Sequence, residues 1–71
     1  MDKLTQWAKI NEYLREHESA TLREMYNALN INWPAKRISE MRDAGVKIGD
    51  FWCEDVDADG HKTQYKRYFL A

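Results

Sequence analysis

The segment DVDADGHK, Asp55 to Lys62, sets carboxylates two residues apart and runs them into a glycine. A calcium loop of the EF-hand kind takes oxygen ligands at its first, third and fifth positions, a glycine at the sixth and a bidentate glutamate at the twelfth. Asp55, Asp57, Asp59 and Gly60 meet the first four requirements, but the twelfth position is Lys66, which repels the ion. The flanks GDFWCE and QYKRYF are strand-like, where such a loop needs a helix on each side. The same alternation is a strand signature, with Asp55, Asp57 and Asp59 expected on one face near a hairpin tip. The hairpin reading wins, and neither a metal site nor a cofactor is expected.

The other reactive residues stand alone. Cys53 is the sole cysteine, so no internal disulfide and no cysteine zinc cluster can form, and a structural thiol is expected in a strand. His17 and His61 have no second histidine or cysteine at zinc-ligand spacing. A chain of 71 residues builds one thin core with no room for an enclosed pocket, so an enzyme is not expected.

NWPAKRISE, Asn32 to Glu40, offers chemistry of another kind. An arginine can grip guanine with two hydrogen bonds, a lysine can meet phosphate or guanine, and a glutamate can accept from cytosine. Asn32, Trp33, Lys36, Arg37 and Glu40 could therefore read base edges, provided that a helix carries them into solvent. Mixed charges on a lone helix are more often just a solvated face, because Lys, Arg and Glu are good helix formers. The surrounding elements must decide.

Those elements follow from periodicity, over residues 1–71 read as a single domain. Leu4, Trp7, Ile10 and Leu14 recur at helical spacing and predict a first helix over 3–17, capped by Asp2 or Thr5. TLRE, from Thr21, has the spacing of a capping box and opens a second helix over 21–29 that Asn30 can end in a left-handed conformation. Asn32 as cap and Pro34 in the first turn predict a third helix over 33–44, stopped by Gly45. VKIGDFWCEDV and TQYKRYFL read as strands over 46–56 and 62–70, with Asp59-Gly60 turning between them.

On the third helix Ile31, Pro34, Ile38, Met41 and Gly45 share the side that packs on the other helices. Trp33, Lys36, Glu40 and Asp43 face away, Arg37 and Ser39 lie on the flanks, and Arg42 lays its stem on the core edge and pairs with an acid or a carbonyl. Of the strand aromatics, Trp52 and Tyr68, with Leu70, are expected to cover the helices; an outward Tyr65 or Phe69 would suit a protein partner or a dimer mate. Net charge is −1, with Asp50, Glu54, Asp55, Asp57 and Asp59 gathered over 49–60 and Lys62, Lys66 and Arg67 over 61–71. No apolar run reaches transmembrane length and MDKLTQW is not a signal peptide, so no membrane partner and a cytoplasmic location are expected.

LNINWPAKRISEMRDAGVKI, Leu29 to Ile48, followed by the hairpin and YKRYFL, resembles the small winged helix-turn-helix domains of phage and prophage proteins, and KINEYLREH fits their first helix. The resemblance covers nearly the whole chain. It implies an α+β winged helix, three helices followed by a two-stranded wing, that binds duplex DNA in a bacterial cell or phage-infected host. Carried onto this sequence, it implies helix contacts at Trp33, Lys36, Arg37 and Ser39 and wing contacts at His61, Lys62 and Lys66.

Two functions follow. The first is a duplex DNA binder, a small transcriptional regulator or recombination accessory. The second is a protein-interaction module whose acidic wing docks on a basic partner. A homodimer through the first helix or the aromatic strand is compatible with either.

Overall fold

Helical spacing of apolar residues gives way after Gly45 to β-branched and aromatic runs, and the backbone changes with it. The computed structural model describes residues 3–71. It holds α1 (Lys3–His17), α2 (Leu22–Leu29), α3 (Pro34–Asp43), β1 (Ile48–Val56) and β2 (Lys62–Leu70). Three helices followed by an antiparallel hairpin are the winged-helix architecture that the sequence led us to expect. Asp2, one of the two expected caps of α1, lies outside the described residues. Thr5, the other, is the third residue of the helix and so lies inside it.

Ile10 and Leu14 of α1, Ala20, Met25 of α2, Ile31, Ile38 and Met41 of α3, Ile48 of β1 and Tyr68 of β2 form one buried cluster. Burying such a side chain fully is worth about 1.5–3 kcal/mol, so a core this short leaves the fold dependent on polar staples at its edges. Leu4, the first residue of the expected apolar stripe, is 68% exposed, because the first turn of α1 runs past the core.

Each junction has a local cause. Thr21 caps α2, its Oγ1 accepting from the Glu24 amide at 3.0 Å, and Asn30 ends it in the left-handed region at φ 55°. The reciprocal half of the expected capping box is absent, since the Glu24 carboxylate turns to Arg67 instead. Trp33, not Asn32, occupies the cap position of α3 and makes no side-chain bond there; Pro34 needs no cap for a donor it lacks. At the other end Gly45, at φ 99°, donates to Arg42 O and Val46 donates to Met41 O, which is a Schellman stop. That last bond takes the Val46 amide, and β1 therefore begins at Ile48 rather than at the expected residue 46.

β1 and β2 pair with Ile48 opposite Leu70, Trp52 opposite Lys66 and Val56 opposite Lys62. Ala20 adds a one-residue bridge on the far side of β2, exchanging both backbone bonds with Tyr68 at 2.9 and 2.8 Å. Strands of nine residues span roughly 27 Å, and the hairpin draws the molecule out to 41 Å along its longest axis. Only the base of this ribbon touches the helices. Trp52, expected on the inner face beside Tyr68 and Leu70, is on the same side of the sheet as they are but is 65% exposed, having passed beyond the helical layer.

The tip corrects another expectation. The strand stops at Val56, so Asp57 and Asp59 lie in the turn and do not share a strand face with Asp55. Asp57 Oδ1 accepts from the amides of Asp59 and His61, both at 2.9 Å, while Gly60 takes φ 83°. The carboxylate that would have supplied the third-position ligand of a cation cage is used to fold the loop.

Candidate nucleic-acid interface

The face of α3 away from the core is set by its register: with Pro34, Ile38 and Met41 buried, Trp33, Ala35, Lys36, Ser39 and Asp43 must look outward, and all of them are exposed. Asn32, in the turn before the helix, is exposed as well. Trp33 keeps 64% of its surface free, and Lys36 Nζ stands over its ring, 5.2 Å from the centroid. One turn of helix brings this pair together, since the residues are three apart.

Arg37 differs from the expectation that it stands clear. Its side chain is only 17% exposed, and Nε lies 3.1 Å from Glu40 Oε1. The same Glu40 oxygen faces the Trp7 indole Nε1 at 3.5 Å, so α1, Arg37 and Glu40 form one anchored group. Glu40 thus positions Arg37 and offsets its charge, and its Oε1 is already engaged. Sequence spacing allowed the Arg37–Glu40 pair, but the contribution of Trp7 needed the packing of α1 on α3.

Arg42 follows the expectation closely. Its Nε donates to Ile48 O at 2.9 Å, its Nη2 meets Asp50 Oδ2 at 2.8 Å, and the guanidinium lies over the Tyr68 ring. It joins α3 to the wing and is spent in doing so.

In the wing, His61 and Lys62 are exposed, yet each sits by an acid: His61 Nδ1 is 3.6 Å from Asp57 Oδ2 and Lys62 Nζ is 3.6 Å from Glu54 Oε1. Lys66 is half-buried and stands 5.0 Å from the Trp52 ring centroid, directly across the sheet. Arg67, the last base of the wing, points to the opposite sheet face and is held by Glu24 and Ser19.

The nine candidate residues therefore fall into two places. Asn32, Trp33, Lys36, Arg37, Ser39 and Glu40 are gathered at the start of α3; His61, Lys62 and Lys66 belong to the wing. Lys36 and Lys66 are in no ion pair among the described residues, and each stands over a tryptophan. Lys36 could be read from the outward face of the expected third helix, and its contact with Trp33 emerged with the structure. The Trp52–Lys66 pair is visible only once the strand register is known.

Asp57, Asp59 and His61 bring potential ligand atoms within 4.8 Å of one another at the tip, all exposed. Asp57 is committed to the turn, as described above. Among the described residues no helix is long and apolar enough to cross a membrane.

A family model described as a winged helix-turn-helix domain matches residues 5–71. No curated protein and no solved structure gives a significant match to the chain.

Proposed function

Because the chain belongs to the winged helix-turn-helix domain family, we propose that it binds duplex DNA, with the start of α3 in the major groove. Domains of this kind are typically DNA-binding modules without catalytic activity. The observation that carries the reading is the exposed face of α3, where Trp33, Lys36 and Ser39 stand clear of a core that fixes the helix from behind.

The roles follow from chemistry. Lys36 takes a phosphate or a guanine edge, and Asn32 and Ser39 supply short hydrogen-bonding groups. Trp33 lays an apolar ring against a thymine methyl or a sugar. Arg37 reaches the duplex only with its charge already half offset by Glu40. Lys66 and Lys62, with His61 at the tip, meet the backbone on the wing side. With so few unpaired lysines and arginines on the α3 face and the wing, binding rests on about two to four phosphate contacts, and affinity falls with salt at a logarithmic slope of roughly −2 to −4.

The role we infer is that of a small regulator or recombination accessory of phage or prophage type, working in the cytoplasm of a bacterial cell or infected host. Titration of random and operator-like duplexes at several salt concentrations tests the binding. Failure to bind any duplex at low ionic strength overturns it.

A further inference from the structure

β1 has one unused edge. Ala71 N donates to Lys47 O and Asp57 N to His61 O, each at 3.0 Å, and these pairs sit on the register of the ladder. The odd-numbered residues of β1 therefore bond to β2, and the even-numbered ones turn their N–H and C=O groups the other way. At the base this outer row is occupied: Ile48 O accepts from Arg42 Nε. From Asp50 through Trp52 and Glu54 to Val56 no described residue pairs with it.

Side chains on the same stretch make the edge selective. Trp52 is 65% and Val56 61% exposed, on the same sheet face as Asp50 and Glu54, so acid and apolar groups alternate along one line. Residues 48–60 carry Asp50, Glu54, Asp55, Asp57 and Asp59 without a lysine or arginine, and although Arg42 reaches Asp50 and Lys62 lies 3.6 Å from Glu54, the acids outnumber those two bases. Charged residues alone would suffice to blunt an edge against unwanted pairing. Leaving a tryptophan and a valine bare between them forfeits burial that a partner would recover.

We propose that the free edge of β1 receives an extended, basic segment of a protein partner as an added strand, pairing with the backbone of Asp50, Trp52, Glu54 and Val56. Apolar side chains of the segment cover Trp52 and Val56, and lysines or arginines between them meet Glu54 and the acids of the turn. A second copy of this chain is the poorer occupant, since β1 brings three acids and no base of its own to the seam. Nucleic acid is excluded from this edge by the same charge.

The probe is a synthetic peptide repeating lysine, threonine, valine, threonine, which places base and apolar groups alternately on one face of a strand. Added to the full chain, it slows amide exchange at Asp50, Trp52, Glu54 and Val56, and its affinity falls as salt rises. Alternate N-methylation of the peptide backbone, or glutamate in place of lysine, abolishes the effect. Glu54→Pro removes an outward N–H without touching the ladder and weakens binding by about tenfold. Binding that survives N-methylation, protection elsewhere in the chain, or a dimer in light scattering whose edge amides are already protected overturns the proposal.

Discussion

Arg67 in β2 and Glu24 at the start of α2 meet at 2.9 Å, and the same guanidinium donates from Nε to Ser19 Oγ and from Nη2 to Ser19 O. One side chain thus ties the wing, the α1–α2 junction and the second helix together, beside the Ala20–Tyr68 bridge. The fork of donors fits a carboxylate and a backbone carbonyl at once, which a lysine cannot do.

Arg67→Ala should therefore cost more than an ordinary surface ion pair. The groups are partly exposed, which discounts the charge term, and a loss of about 1–2 kcal/mol is expected. In a domain this small that lowers the melting temperature by roughly 5–15 °C. Arg67→Lys recovers only part of it. A thermal melt within a degree or two of the parent for Arg67→Ala would show the staple to be ornamental.

Gly45 and Glu18 predict changes of opposite sign. Gly45 stops α3 at φ 99°, where a side chain is strained although space is open around it, so Gly45→Ala costs about 1 kcal/mol. Glu18 follows the end of α1 at φ 60°, a position that a glycine fills without strain. Glu18→Gly is expected to stabilise the fold by up to about 1 kcal/mol. Urea midpoints for the two variants should move in opposite directions at unchanged slope.

The turn gives a third test. Asp57→Ala removes the acceptor of the Asp59 and His61 amides, and their exchange should quicken while that of α1 to α3 stays as it was. Millimolar calcium should leave both the tryptophan fluorescence and the melting curve of the parent chain unchanged, because Lys66 stands where the closing glutamate would be. A saturable shift in either signal would restore the cation reading of DVDADGHK.

The architecture was legible because local signals agreed with one another. Thr21, Asn30, Pro34 and Gly45 punctuate the helices as their chemistry demands, and the period changes once, after Gly45. What stayed hidden depends on contacts between distant residues. Leu4 and Trp52 carry the right period for burial but lie beyond the reach of a core this small. Arg37 and Glu40 lie three residues apart, yet only the packing of α1 shows that Trp7 joins them. Arg67 reads as one more wing base until β2 is folded against α2. Charge counted along a chain says which groups exist, and the fold decides which remain free.

Lys36 gives the decisive test of the α3 reading. It is exposed, engages no carboxylate among the described residues, and rests only on the Trp33 ring. If it meets a phosphate, Lys36→Ala lowers affinity on every duplex and makes the logarithmic salt slope shallower by about 0.9. If it grips guanine, the loss is about 1–3 kcal/mol and confined to sites holding that base. Trp33→Ala also weakens binding, without altering the salt slope, since the ring carries no charge. Glu40→Gln acts in reverse: with its negative charge gone, Arg37 is released toward the duplex and non-specific binding tightens several-fold at low salt. Lys36→Ala and Trp33→Ala should melt near the parent, because neither side chain belongs to the buried cluster or ties two elements together. Glu40→Gln keeps an oxygen for the Trp7 indole but loses the charge that faces Arg37, and should melt slightly lower. Equal affinity for DNA across the parent, Lys36→Ala and Trp33→Ala, measured at low salt on the same duplex, would remove α3 from the interface.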